Sequence, residues 1–128
     1  MSVLAYMGYY YYDVTYLLVI LGAVLSMIAS AQVNSTFKRY SRVRSSCGMT
    51  GEAAERILYR NGLTNVRIEH ISGNLTDHYD PSSKVLRLSD ATYNATSVAA
   101  VGVAAHECGH AVQDARGYAP LKFRSALV

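Results

Sequence analysis

The chain has 128 residues, of which 51% are hydrophobic and only 16% are charged. This balance excludes an intrinsically disordered protein, which combines low hydrophobicity with a high net charge. Two cysteines are also too few for a small domain built on disulfides. The net charge of +3 is local, and the basic cluster that supplies it consists of Lys38, Arg39, Arg42 and Arg44. Without a broad basic surface, we expect no nucleic-acid partner.

No charged residue lies between Asp13 and Lys38, and the middle of this stretch is apolar on every face of a helix. A helix of about 20 residues, at ~1.5 Å rise per residue, crosses the ~30 Å hydrocarbon layer of a membrane. Residues 14–37 are therefore predicted to form a transmembrane helix. The tyrosine-rich tail 1–13 and the basic polar linker 38–48 are typical of its two membrane interfaces.

The distribution of Lys and Arg around this helix predicts its orientation. The tail before the helix carries neither residue, whereas the basic cluster follows the helix directly. Because basic flanks stay inside, we expect the N-terminus outside the cell membrane and the following domain on the cytoplasmic side. Two other interpretations stay open. The stretch could be a buried helix of a soluble domain, or a signal peptide cleaved near Ala29-Ser30-Ala31, although the basic start of such a peptide is missing.

A globular domain is predicted over residues 49–128. Its first helix starts with Thr50 as its cap and ends at Asn61-Gly62. Alternation of apolar and polar residues predicts a strand over residues 65–71, and a second strand is predicted over residues 84–89, after a segment rich in turn residues. A short strand is expected between them, over residues 75–79. After the long helix described next, Pro120 is expected to start a last helix.

The stretch from Val98 to Arg116 is rich in alanine, which favours a helix, and Gly117 follows as its stop. The first half is apolar nearly all round and is therefore predicted to be buried. Three ionisable residues, His106, Glu107 and His110, enter towards the end of this helix. Unpaired charges are costly in a core, so these residues need partners.

The spacing of His106, Glu107 and His110 offers such a partner. Two histidines one turn apart project from the same side of a helix, so both imidazoles can hold one zinc ion. Glu107 lies at the edge of this side, where it can take a proton from a metal-bound water. This is the arrangement for peptide hydrolysis. The alternative is two hydrogen-bonded histidines on a core helix, with no metal.

Four nearby residues are interpreted more simply. Cys108 faces away from the two histidines and is predicted to be a core residue. Asp114 is expected at a solvated helix end, with a hydrogen bond to His110 as the alternative. His70 is expected to be exposed on its strand. His78 is expected in a turn, with a place at the edge of the cleft as the alternative.

The sequence around the histidines resembles that of the bacterial membrane-anchored neutral zinc metallopeptidases, and the resemblance runs from the apolar helix to the last residue. The stretches that carry it are Met49-Thr50-Gly51, Asp77-His78-Tyr79-Asp80-Pro81, Leu86-Arg87-Leu88-Ser89, Ala104 to Gln113, and Gly117-Tyr118. The resemblance implies an α+β, zincin-like domain in which a helix and a small sheet precede the active-site helix. It implies His106 and His110 as ligands of one Zn²⁺ and Glu107 as general base. An edge strand would align the peptide, and residues 75–79 are the candidate.

Members of this family continue beyond the position of Val128 and carry there an acidic residue suited to be the third zinc ligand. We therefore expect the domain to be incomplete at its C-terminus. These 128 residues alone should bind zinc weakly and be inactive. A third ligand within the chain would be sought first at His78 or Asp80. The extended metzincin pattern is excluded, because Gln113 and Arg116 occupy the positions of its glycine and histidine.

The sequence thus predicts a membrane-anchored zinc metallopeptidase with an α+β fold, acting on a peptide or protein substrate at the lipid bilayer. The alternative is a non-catalytic, membrane-tethered domain that binds zinc and serves as an interaction module.

Overall fold

The computed structural model describes residues 14–128. Helix α1, Val14–Tyr40, contains the predicted transmembrane stretch, and none of its residues is buried. At ~1.5 Å rise per residue, its 27 residues make a helix about 40 Å long, which is enough to cross a membrane. The chain divides into two units, and the boundary lies between Thr36 and Phe37. The finer division at residues 13, 37 and 48 stays a prediction.

The second unit is an α+β domain, as the sequence predicts. Its elements, in chain order, are helix α2 (Thr50–Arg60), strand β1 (Arg67–Ile71), strand β2 (His78–Asp80), strand β3 (Val85–Ser89), helix α3 (Asp90–Tyr93), helix α4 (Val98–Ala115) and helix α5 (Ala119–Leu127). The ends of α2 and α4 are as expected. Asn61 and Arg116 cap the two helices, and the glycine after each cap has a positive φ, which glycine adopts without strain.

The three strands form a mixed sheet in the order β1-β3-β2. Strand β1 runs parallel to β3, and β2 runs antiparallel to it. The middle strand is almost wholly buried, because it has neighbours on both sides. Strand β2 is an edge strand, but it starts three residues later than the sequence predicts. Leu75, the first residue of the predicted strand, has a φ of +56° and lies in the preceding turn.

The two faces of the sheet differ because successive side chains point in opposite directions. One row across the strands, Ile68–Leu86–Tyr79, belongs to the hydrophobic core or packs against it. The neighbouring row is charged and lies on the other face. There Arg87 forms ion pairs with Glu69 at 3.3 Å and with Asp80 at 3.2 Å.

The core lies between this sheet and the helices α2 and α4. The residues at its centre are Ala54, Leu58, Leu86, Leu88, Ala104, Cys108 and Ala111. Apart from Leu58 of α2, the helices contribute small side chains, and β3 contributes Leu86 and Leu88. Cys108 is fully buried, as predicted.

The expectation that the first half of α4 is buried all round is wrong. Its buried residues are Ala100, Ala104, Cys108 and Ala111, which follow the helical repeat along one face. Val98 is 41% exposed, and Gly102 is also exposed. The reason is that, among the described residues 14–128, the sheet and α2 cover mainly one side of this helix.

The start of α4 is bound to the segment that follows α1. Val98 N donates to Val43 O at 2.8 Å, and Ser45 N donates to Thr96 O at 2.7 Å. Thr50 adds a third connection, because its hydroxyl donates to the carbonyl of Ala95 at 2.8 Å. The prediction that Thr50 caps α2 is therefore wrong. Met49 is the cap, and Thr50 is a fully buried residue of the first turn.

Candidate metal centre

Helix α4 brings His106 and His110 together. The two Nε2 atoms are 3.2 Å apart, and the rings meet edge to face with their centroids 4.6 Å apart. This is the outcome expected for histidines one turn apart on a regular helix. His106 is exposed and His110 is half-buried. The pair therefore lies at the surface of the domain and not within a closed apolar core.

Glu107 completes the group. One donor atom from each of His106, Glu107 and His110 lies within 4.8 Å of the other two. Among residues 14–128, this is the only group of three or more His, Cys, Asp or Glu residues that could hold a metal ion. Its position follows from the sequence, since α4 carries all three residues.

The donor set fits a zinc ion. Two nitrogens 3.2 Å apart are close enough that both would reach one ion at the usual zinc–nitrogen distance of about 2.0–2.1 Å, at an angle of about 100°. That angle is close to the tetrahedral value, and imidazole is a preferred zinc ligand. The exposure of His106 leaves a path from solvent to the two nitrogens. In a metal-free chain, the same separation allows one ring to donate a hydrogen bond to the other.

Gln113 is a residue of this site that the sequence pattern does not predict. Its Oε1 accepts a hydrogen bond from Nδ1 of His110 at 3.0 Å. Gln113 lies three residues after His110, which places both side chains on the same side of α4. The spacing of three residues is the sequence signal for this hydrogen bond. It is a weak signal, because an amide side chain near a polar helix end can bind many other groups.

Asp114 has neither of the two expected environments. It is not a solvated helix end, because its side chain is only 14% exposed, and it does not bind His110. It accepts a hydrogen bond from the hydroxyl of Tyr79 at 2.8 Å and forms an ion pair with Lys84. Tyr79 belongs to β2 and Lys84 precedes β3. The sequence could not show this, since both partners lie about thirty residues earlier in the chain.

The two other histidines lie outside the group. His70 is exposed, as predicted, but it also binds Asp90 at 2.6 Å and stacks on Tyr93. His78 is exposed, and it is the first residue of β2 instead of a turn residue. Its Nδ1 binds the carbonyl of Thr76 at 2.9 Å.

Neither His78 nor Asp80 supplies a third ligand in this structure. Asp80 binds the hydroxyls of Ser82 and Ser83, each at 2.6 Å, in the turn that joins β2 to β3. These two hydrogen bonds hold the pKa of Asp80 well below its ordinary value. The carboxylate therefore stabilises the turn and has no free side for an ion.

Comparison with known proteins identifies the class to which this α+β chain, with its apolar first helix and its His/Glu/His group, belongs. A family model described as "Putative neutral zinc metallopeptidase" matches residues 15–128. The chain belongs to this family. No solved structure matches it.

A curated relative supports the same assignment. The chain is 47% identical over 104 residues to a protein of Bacillus subtilis (strain 168) described as "Putative membrane protease YugP". The matched region makes up 80% of this chain and 46% of the relative. The chain thus spans less than half of that protein's length.

Proposed function

We propose that the protein is a membrane-anchored, zinc-dependent metallopeptidase that hydrolyses peptide bonds with a metal-activated water. The observation that carries the proposal is the 3.2 Å separation of the two Nε2 atoms, with the carboxylate of Glu107 beside them. Membership in a zinc metallopeptidase family supports it. The name of the Bacillus relative supports a protease at a membrane.

In this proposal, His106 and His110 hold one zinc ion through their Nε2 atoms. The ion, when bound, would act as a Lewis acid and lower the pKa of its bound water towards about 7. Glu107 accepts a proton from the attacking water as general base and returns it to the leaving amine. Its half-buried position on α4 keeps the carboxylate next to the two histidines.

The edge of the sheet offers a place for the peptide. Among residues 14–128, β2 pairs only with β3, so the backbone groups of its other edge are free to bind an extended chain. Tyr79 of this strand is hydrogen-bonded to Asp114, four residues after His110. We infer that β2 is the zincin-like edge strand and that residues 78–80 align the substrate.

The membrane part of the proposal depends on α1. None of its residues is buried, its residues before Phe37 are all exposed, and its last turn carries Lys38 and Arg39. A helix with this surface is stable in a bilayer, and its basic end favours the cytoplasmic side. We place the domain in the cytoplasm and the N-terminus outside.

The general-base role is tested by replacing Glu107 in the full-length protein, purified in detergent micelles and assayed on dye-labelled casein. Glu107→Gln should lower the rate by about 10²–10⁴-fold, because the amide cannot accept the proton. It should still bind zinc. Glu55→Gln is the matched control, since Glu55 is exposed on α2, and it should keep full activity.

Two results would contradict the proposal. Full proteolytic activity of the Glu107→Gln variant would show that Glu107 is not the general base. A wild-type protein that binds zinc but shows no activity sensitive to a chelator on any tested peptide would favour a non-catalytic, membrane-tethered zinc-binding domain.

A further inference from the structure

The hydrogen bond between His110 and Gln113 determines which nitrogen of the ring carries a proton. Oε1 of Gln113 is a carbonyl oxygen and can only accept, so Nδ1 of His110 must be the donor. In a neutral imidazole the other nitrogen then has a free lone pair. Nε2 of His110, which faces His106, is therefore the nitrogen that can bind a metal.

The tautomer of His110 also sets the direction of the hydrogen bond between the two rings. Because Nε2 of His110 is an acceptor, the 3.2 Å contact is a hydrogen bond donated by Nε2 of His106 when no metal is present. The three side chains thus form a chain of hydrogen bonds from His106 through His110 to Gln113. His110 already has the tautomer that a metal needs, whereas His106 must move its proton to Nδ1.

The two histidines also differ in how firmly they are held. His110 and Gln113 are both half-buried on α4, whereas His106 is exposed. In the part of the chain that the structure describes, Nδ1 of His106 has no hydrogen-bond partner that corresponds to Gln113. The ring of His110 is therefore oriented before an ion binds, whereas the ring of His106 can still change its orientation.

We propose that Gln113 is a positioning residue that fixes the Nδ1–H tautomer and the ring orientation of His110 for metal binding. The inference rests on the proposed function, in that it takes the two histidines to be metal ligands. Hydrogen bonds to the outer nitrogen of a ligating histidine commonly change metal affinity by about 10–100-fold. Gln113 is expected to act in this range.

The first test measures the tautomer without a metal. Long-range ¹H–¹⁵N NMR of the metal-free protein in micelles should show His110 with its proton on Nδ1. Gln113→Met keeps the length of the side chain but has no oxygen acceptor, so His110 should become a mixture of both tautomers. An unchanged His110 tautomer in Gln113→Met would overturn the proposal.

The second test measures zinc affinity by competition with a coloured chelator. Gln113→Met should weaken zinc binding by about 10–100-fold. Gln113→Glu keeps an acceptor oxygen at the same reach and should restore binding to at least the wild-type level. Arg116→Met introduces the same side chain at an exposed position after α4 and should leave affinity unchanged. The free energy of unfolding, measured for every variant, separates an effect on the site from an effect on the fold.

The results of these two tests distinguish a failure of this inference from a failure of the proposed function. Wild-type affinity in Gln113→Met would overturn the role of Gln113 while leaving the histidine pair intact. A wild-type protein that does not bind zinc at all would contradict the proposed function. In that case the tautomer measurement still decides whether Gln113 positions His110.

Discussion

Asp114 lies one turn after His110 and is bound by residues from two other parts of the domain. Burial opposes its ionisation, but the hydrogen bonds from Lys84 and Tyr79 and the charge of Lys84 outweigh this, and the pKa of Asp114 is lowered. Burial, together with the hydrogen bond to Asp114, raises the pKa of the Tyr79 hydroxyl. Tyr79 therefore remains a donor and Asp114 an acceptor at neutral pH. This single carboxylate connects the end of α4 to the edge strand and to the β2–β3 turn.

Replacing Asp114 should destabilise the domain in a pH-dependent way. Asp114→Asn removes a charged acceptor from a mostly buried position, which costs about 1–3 kcal/mol at pH 7. Because the folded-state pKa is lowered, this contribution is present above the unfolded pKa of about 3.9 and is lost as the pH falls through the folded value. Urea denaturation followed by circular dichroism should show a large difference from wild type at pH 7 and a smaller one below pH 4. Glu55→Gln should match wild type throughout, and a difference for Asp114→Asn that is equal at both pH values would contradict this account.

At the scale of the elements, the sequence predicts what depends on local pattern. The stripe of Ala54 and Leu58 on α2, the alternation in β1 and the glycine after α4 all lead to elements close to those observed. The same holds for the histidine pair, since its geometry is set by one turn of one helix. Contacts within a helix can be read from spacing alone.

Features that depend on long-range contacts could not be predicted in this way. Threonine is a common residue at helix N-caps, but the hydroxyl of Thr50 donates to the carbonyl of Ala95, which lies 45 residues away. Strand β2 is defined by its pairing with β3, which places His78 opposite Arg87 and moves the strand towards the turn. The exposure of Val98 and Gly102 on α4 depends on which other elements pack against this helix. In each case tertiary structure overrides the local preference.

At the scale of the whole molecule, the chain combines an apolar helix with a domain in which Arg87 is paired with Glu69 and Asp80 on one face of the sheet. Its two cysteines are well suited to report on the orientation in the membrane. Cys47 is exposed, shortly after α1, whereas Cys108 is buried in the core. Burial raises the pKa of the Cys108 thiol to about 11, so that this residue stays protonated and unreactive near neutral pH.

The orientation can be tested by labelling with a maleimide that does not cross membranes. Cys47 should remain unlabelled in intact cells and react after permeabilisation, because the basic end of α1 favours the cytoplasm. Cys47→Ser should abolish this signal. Adding Ala5→Cys to Cys47→Ser should give labelling in intact cells. Equal labelling of Cys47 before and after permeabilisation would place the domain outside.

The zinc affinity of histidine variants of the full-length protein decides whether His106 and His110 share one divalent ion. His106→Ala and His110→Ala should each lose measurable zinc binding, because each removes one of the two nitrogens. His70→Ala is the matched control, since His70 lies on β1 and binds Asp90 instead, and it should bind zinc as the wild type does. Wild-type zinc affinity in either His106→Ala or His110→Ala would contradict the account.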